Sequence, residues 1–132
     1  MGIILLIVAT VLSCIFMPIG FVYSTIVLIV RNTFKDWWNR WNDYLYIMAL
    51  GLDQLGNAVM QDLFNDLLLK PGAYRFGNPD QTLSYIFGKN KQLGKLNWLG
   101  LFIASVLDWL DPNHTDKAVK NEEDPYDNFS AD

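Results

Sequence analysis

The chain has 132 residues, with ten Lys and Arg against fourteen Asp and Glu for a formal net charge of -4, and 52% of it is hydrophobic. It is too apolar for a disordered chain and too short for several domains. The single cysteine, Cys14, excludes an intrachain disulfide framework and a cysteine-rich zinc site, and the balanced, unstriped basic residues leave no electrostatic footprint for nucleic acid.

Ile3 to Val30 carries no charged side chain over 28 residues. As a helix it would run about 42 Å against a hydrocarbon core of about 30 Å, enough for one crossing and too little for a hairpin of two. Pro18 and Gly20 permit a kink, with Ser24 or Thr25 available to freed carbonyls. The segment lacks a basic n-region and is too long for a cleaved signal peptide, so it reads as an anchor. Cys14 reads as a small buried apolar residue rather than a lipidation site, because Ile15, Phe16 and Met17 follow where a polar tether belongs.

Arg31, Lys35 and Arg40 follow the span, and by the positive-inside rule residues 31–132 are expected on the cytoplasmic side of the membrane. Trp37, Trp38, Trp41 and Tyr44 stand at the same junction, where amphipathic rings favour the headgroup level; packing on the protein's own core is the equal alternative.

From Asp36 to Leu69, apolar residues including Trp41, Met48, Leu52, Leu55, Val59 and Leu63 recur at three- and four-residue steps. That period predicts one long amphipathic helix, or two broken near Gly51 or Gly56, ended by Pro71-Gly72. Asn78-Pro79-Asp80 carries a capping side chain, a proline and an acid in helix-starting order, predicting a short helix through Phe87 with Gly88 as its left-handed stop. Lys89–Lys95 reads as a polar connector, and Leu96–Leu110 as a further apolar helix. Lys95 and Asp108 bracket only 12 uncharged residues, too few to cross a bilayer, so this helix is either core or interfacial. After Leu110 there are seven acidic and two basic residues, and 115–132 reads as an acidic disordered tail. The expected organisation is an all-α chain: a transmembrane anchor over 1–30, a membrane-proximal helical domain over 31–114, and the tail.

Gly88-Lys89-Asn90-Lys91 lacks the spacing of a phosphate loop, and no metal-ligand spacing surrounds the one histidine, so neither a metal nor another cofactor is expected. The candidate polar cluster is Asp53, Asn57, Asp80, Thr82, Ser84, Asp111 and His114. Asp53 and Asn57 are one helical turn apart and point the same way. Two readings stay open: a polar pocket in which His114 and Asp53 serve as acid and base, or side chains that hydrogen-bond each other and helix ends, pinning three helices.

Asp53-Gln54-Leu55-Gly56-Asn57, followed by Gly77-Asn78-Pro79-Asp80-Gln81-Thr82-Leu83-Ser84, resembles a family of small uncharacterised bacteriophage membrane-associated proteins. Members carry an Asp-Gln-x-x-Asn helix, a Gly-x-Pro-Asp-Glu-Thr-Leu-Ser-like segment, and an apolar helix ending near a His-Cys pair. The resemblance covers about Leu50–Thr115; Gln81 stands where an acid is usual, and Thr115 follows His114 where a cysteine is usual. It implies a phage origin. The function expected is a single-pass membrane protein with a structural or partner-binding role, in contact with the bilayer and with a protein partner or a second copy. The alternatives are a holin-like lysis protein, or a membrane-surface enzyme acting on a lipid or cell-wall precursor.

Overall fold

A computed structural model describes residues 1–31 and 33–123. It is all-helical, with six helices among the described residues: α1 (Gly2–Arg31), α2 (Phe34–Val59), α3 (Gln61–Leu67), α4 (Leu83–Gln92), α5 (Trp98–Leu110) and α6 (His114–Glu123). The chain divides into two compact units, Met1–Ile47 and Met48–Asp132, with the division inside α2.

In the first unit, α1 is unbroken through Pro18, and its one candidate membrane span covers its whole length, Gly2–Arg31. The Thr25 hydroxyl donates to the Phe21 carbonyl at 2.7 Å rather than to the Cys14 carbonyl that Pro18 frees. Phe21 packs on Trp41 at 5.6 Å between ring centroids and on Tyr44 at 6.2 Å. Trp37 stacks on Trp41 at 6.3 Å and touches Trp38 at 6.0 Å. The four rings expected at a membrane interface thus form one aromatic row along α2, with Trp38 its most exposed member.

The second unit is built round Leu68, Phe76, Tyr85, Ile86, Phe87, Leu96, Ala104 and Val119. Phe64, Phe76 and Phe87 meet edge-on or tilted, with centroids 5.2–5.9 Å apart, the arrangement ring quadrupoles prefer. Asn97 caps α5, its Oδ1 accepting from the amides of Leu99 and Gly100 at 3.0 Å each, while Leu69 and Leu96 form a single antiparallel bridge.

Four expectations need correcting. The long helix breaks at Met60, beyond both glycines, and its repeating apolar stripe faces outward: Leu52 is 67% and Val59 72% exposed, whereas Asn57 on the opposite side is 0% exposed. The short helix begins at Leu83, because Asn78 Oδ1 accepts the Asp80 amide at 3.1 Å and closes a local turn instead of a cap. Gly88 is no helix stop: α4 continues to Gln92, and Gly94, at φ +65°, makes the left-handed turn. Gly88 serves close approach, since a β-carbon there would lie 2.2 Å from the Thr115 carbonyl oxygen.

The fourth correction concerns the acidic tail. His114–Glu123 form α6, and Thr115 and Val119 on its inner side are buried against α4. Its acids have partners: Asp116 meets Lys91 at 3.3 Å and Glu123 meets Lys89, while Lys117 returns to Asp111 at 2.8 Å. The disordered-tail expectation for 124–132 lies outside the described residues.

Candidate functional site

The N-terminus of α4 gathers the polar side chains. Thr82 caps the helix, accepting the Tyr85 amide on its hydroxyl at 3.1 Å. A capping box would place Glu or Gln three residues on to bind the cap residue's own amide, but that position is Tyr85. Glu122 of α6 takes the role instead, accepting the Thr82 amide at 2.9 Å and also its hydroxyl. Burial pushes the Glu122 carboxyl up, and the Thr82 bonds only partly oppose this.

Two residues into α4, the Ser84 oxygen lies 2.7 Å from Asp53 Oδ2 on α2 and 2.9 Å from His114 Nε2 on α6. His114 Nδ1 in turn lies 3.0 Å from Asp111 Oδ2, at the end of α5. Asp111, held below the usual carboxylate range by hydrogen bonds from Lys117 and then His114, completes a row Asp53–Ser84–His114–Asp111. Two carboxylates, Asp53 and Glu122, therefore face the positive end of the α4 dipole.

The Ser84–His114–Asp111 part has the contacts of a nucleophilic triad, with Nε2 on the hydroxyl and Nδ1 on the carboxylate. Ser84 owns one hydroxyl proton, and two acceptors compete for it. A nucleophile needs that proton on the histidine side; donation to Asp53 leaves the hydroxyl with none to give to Nε2. Asp53, 2.7 Å from the oxygen, would also oppose the negative charge that develops during acyl transfer. Ser84 is 4% exposed, and the open groove of about 420 Å³ at the 69–75 turn is lined by none of these residues. The arrangement is suited to clasping α2, α4 and α6 together.

The remaining candidates are placed apart from this row. Asn57 pins the 77–81 turn: its Nδ2 donates to the carbonyls of Asn78 and Gln81 at 2.8 Å each, and its Oδ1 accepts the Gly77 amide at 2.9 Å. Asp80 takes part through its backbone, accepting from Gln54 Nε2 at 3.3 Å. Asn65 binds both backbone groups of Phe76, and Asn90 both of Tyr74, so three asparagines supply the loop with the pairing a neighbouring strand would give.

A second cluster joins Asp108, which the sequence places near Asp111 and His114, to Lys91 and Thr115, a link the sequence reading did not make. Asp108 receives Lys91 Nζ at 2.7 Å, the Thr115 amide at 2.9 Å and the Thr115 hydroxyl. Burial alone would raise the Asp108 carboxyl, but these bonds outweigh it and hold it below the usual range, while the same partner, Asp108, raises the Lys91 ammonium. The signal lay in the spacing of Thr115, Val119 and Glu122, which form one helical face once 115–123 is read as a helix. Among the described residues, no group of three His, Cys, Asp or Glu side chains is placed to hold a metal. No protein-family model, curated protein or solved structure matches the chain.

Proposed function

We propose that the chain is a membrane-anchored, non-catalytic module that works by binding, with α1 as a single-pass anchor and residues 31–132 on the cytoplasmic side. The observation that carries this reading is the pairing of α1, 30 residues long, apolar and with none of its residues buried, with a helical unit whose polar side chains are committed to one another. A helix with 28 consecutive uncharged residues, Ile3 to Val30, left bare to water is a burden in any soluble role. The orientation rests on Arg31, Lys35 and Arg40 at the inner end of α1. The phage origin, and with it a role in a virion membrane or a host membrane, rests on the resemblance at Asp53–Asn57 and Gly77–Ser84.

Full-length chain expressed in bacteria is expected in the membrane fraction after alkaline carbonate washing, with its C-terminal part digested in inside-out vesicles. Release by carbonate would refute the anchor, and protection from protease would refute the orientation. Copurification in mild detergent is expected to bring down a partner or a second copy, and recovery of lone monomers would count against the binding role.

The Ser84–His114–Asp111 contacts favour one second reading, hydrolysis of an ester or amide at the membrane surface. A fluorophosphonate probe decides it: labelling of the wild-type chain that disappears in Ser84→Ala would establish the enzyme. Absence of labelling is the outcome expected of the clasp.

A further inference from the structure

We propose that the outer face of α5 lies in the interfacial layer of a lipid bilayer, with the helix axis in the membrane plane and Trp98 and Trp109 at headgroup level. The inference rests on the anchored reading above and adds to it the surface and its occupant.

Helix α5 is apolar on both sides apart from Asp108 and the exposed Ser105, whose hydroxyl is turned back onto the Leu101 carbonyl at 2.8 Å. Gly100 and Ala104 are buried on one side, with Ile103 and Leu107 packed against the core. The other side presents Trp98 at 78%, Phe102 at 61% and Trp109 at 80% exposure, with Leu101 and Leu110 beside them. A helix that is hydrophobic all round is stable when it is covered all round. The only charged side chain of α5, Asp108, is turned to Lys91 and Thr115, so the outer stripe carries no charge. The α2–α3 stretch also turns apolar residues outward, Leu52, Leu55, Val59 and Leu63, while Asn57 is buried.

Three observations favour lipid as the cover. The same chain carries a helix able to cross a membrane, and α2 begins three residues after α1 ends, so connectivity keeps the second unit at high local concentration beside a bilayer. The stripe begins and ends in tryptophan, and indole rings concentrate at the headgroup level, where an apolar body meets lipid and the N–H meets water. Finally, α5 has 13 residues, about 20 Å, too short to cross a core of about 30 Å and well suited to lying along its surface.

The native Cys14 is exposed on α1 and is the only cysteine, so one nitroxide can be placed at a time. Four chains are reconstituted in vesicles of equal parts phosphatidylcholine and phosphatidylglycerol: wild type labelled at Cys14, and Cys14→Ser carrying Phe102→Cys, Trp109→Cys or Gln92→Cys. Collision with dissolved oxygen, which concentrates in lipid, is compared with collision with a water-soluble nickel chelate. The label at position 102 is expected to favour oxygen several-fold, that at 109 to favour it less, and that at exposed Gln92 on α4 to favour nickel. Agreement of the 102 and 109 variants, with unchanged far-ultraviolet circular dichroism, guards against a misfolded substitution. Nickel preference at 102 and 109 overturns the proposal. Shielding from both reagents there overturns it in favour of a protein cover, a second copy included. The label at Cys14 reports the anchor separately: nickel preference at 14 with oxygen preference at 102 removes the anchor and leaves the α5 contact standing, and the reverse removes the α5 contact alone.

Discussion

Asn57 shows how much one buried polar side chain can organise. Its amide satisfies three backbone groups of the 77–81 turn while itself fully buried. Asn57→Ala removes the partner of the Gln81 carbonyl and of the Gly77 amide, while the Asn78 carbonyl keeps the Gln81 amide at 3.1 Å; at about 1–3 kcal/mol for each buried unsatisfied group, a loss of about 2 kcal/mol or more is expected. A thermal melt followed by circular dichroism in detergent would register it as a clear drop in Tm, and an unchanged Tm would mean that water replaces the amide. Glu122 and Asp108 make opposite statements about pH. The Asp108 carboxyl is held low by Lys91 and Thr115 against its burial, so the stability it contributes is present above its unfolded value and is lost as pH falls through the lowered one. Glu122 is raised by burial, so its ionised form costs stability once pH climbs through the raised value. Glu122→Gln keeps an acceptor for the Thr82 amide and is expected to raise Tm at pH 7, with the gain vanishing in acid. Asp108→Asn is expected to lower Tm at pH 7, with the difference shrinking as pH falls below the ordinary carboxylate range. Melts of both variants across pH check the two signs together, and parallel curves would refute the pair.

At the scale of helices, two glycines separate propensity from packing. In the interior of a helix, alanine is favoured over glycine by about 1 kcal/mol. Gly51 has open space where a β-carbon would go, so Gly51→Ala is expected to stabilise by about that amount. At Gly88 the new methyl would press on the Thr115 carbonyl at 2.2 Å and on the Val119 side chain at 2.7 Å, so α4 and α6 must part. Overpacking costs about 1–3 kcal/mol, which outweighs the propensity gain, and Gly88→Ala is expected to destabilise. Opposite shifts in Tm for the two variants are the check. The same residue marks what was legible in the sequence. Chain order and helix type were readable from the 28-residue charge-free run and from three- and four-residue apolar steps, because periodicity is a local property. Gly88 was misread because a glycine before a polar stretch has the local look of a helix stop, and only the α6 backbone behind it reveals the close approach. For α6 itself, charge density pointed to solvent, whereas Lys89 and Lys91 on α4 neutralise it across about thirty residues of sequence separation. The polar row was legible as residue types at Asp53, Ser84, Asp111 and His114. Glu122 was invisible because the gap it fills, the missing acid at the third position of α4, belongs to another helix.

For the whole molecule, the direction of the α2 stripe decides more than its existence. Apolar repeats ordinarily face a protein core, yet Leu52, Leu55 and Val59 face outward while Asn57 and Ser84 face inward, so the second unit presents apolar surface on α2 and α5 at once. Fragment 31–132, lacking α1, is therefore expected to be helical by circular dichroism, to associate in plain buffer, and to float with liposomes. The α5 stripe alone offers Trp98, Leu101, Phe102, Val106, Trp109 and Leu110. Each is worth about 1.5–3 kcal/mol when fully removed from water, so transfer of half that surface yields several kcal/mol, enough for reversible binding without an anchor. The same surface could instead be satisfied by self-association, and a flotation gradient separates the two, since oligomers closed on their own apolar faces stay with the soluble protein. Substituting Trp98 and Trp109 by serine should shift the fragment from the floating to the soluble fractions if α5 provides the contact, and should leave flotation unchanged if the α2 stripe does. A wild-type fragment that is monodisperse and remains at the bottom of the gradient would mean that neither stripe meets lipid, and that α1 is the one element among the described residues left to make a membrane contact.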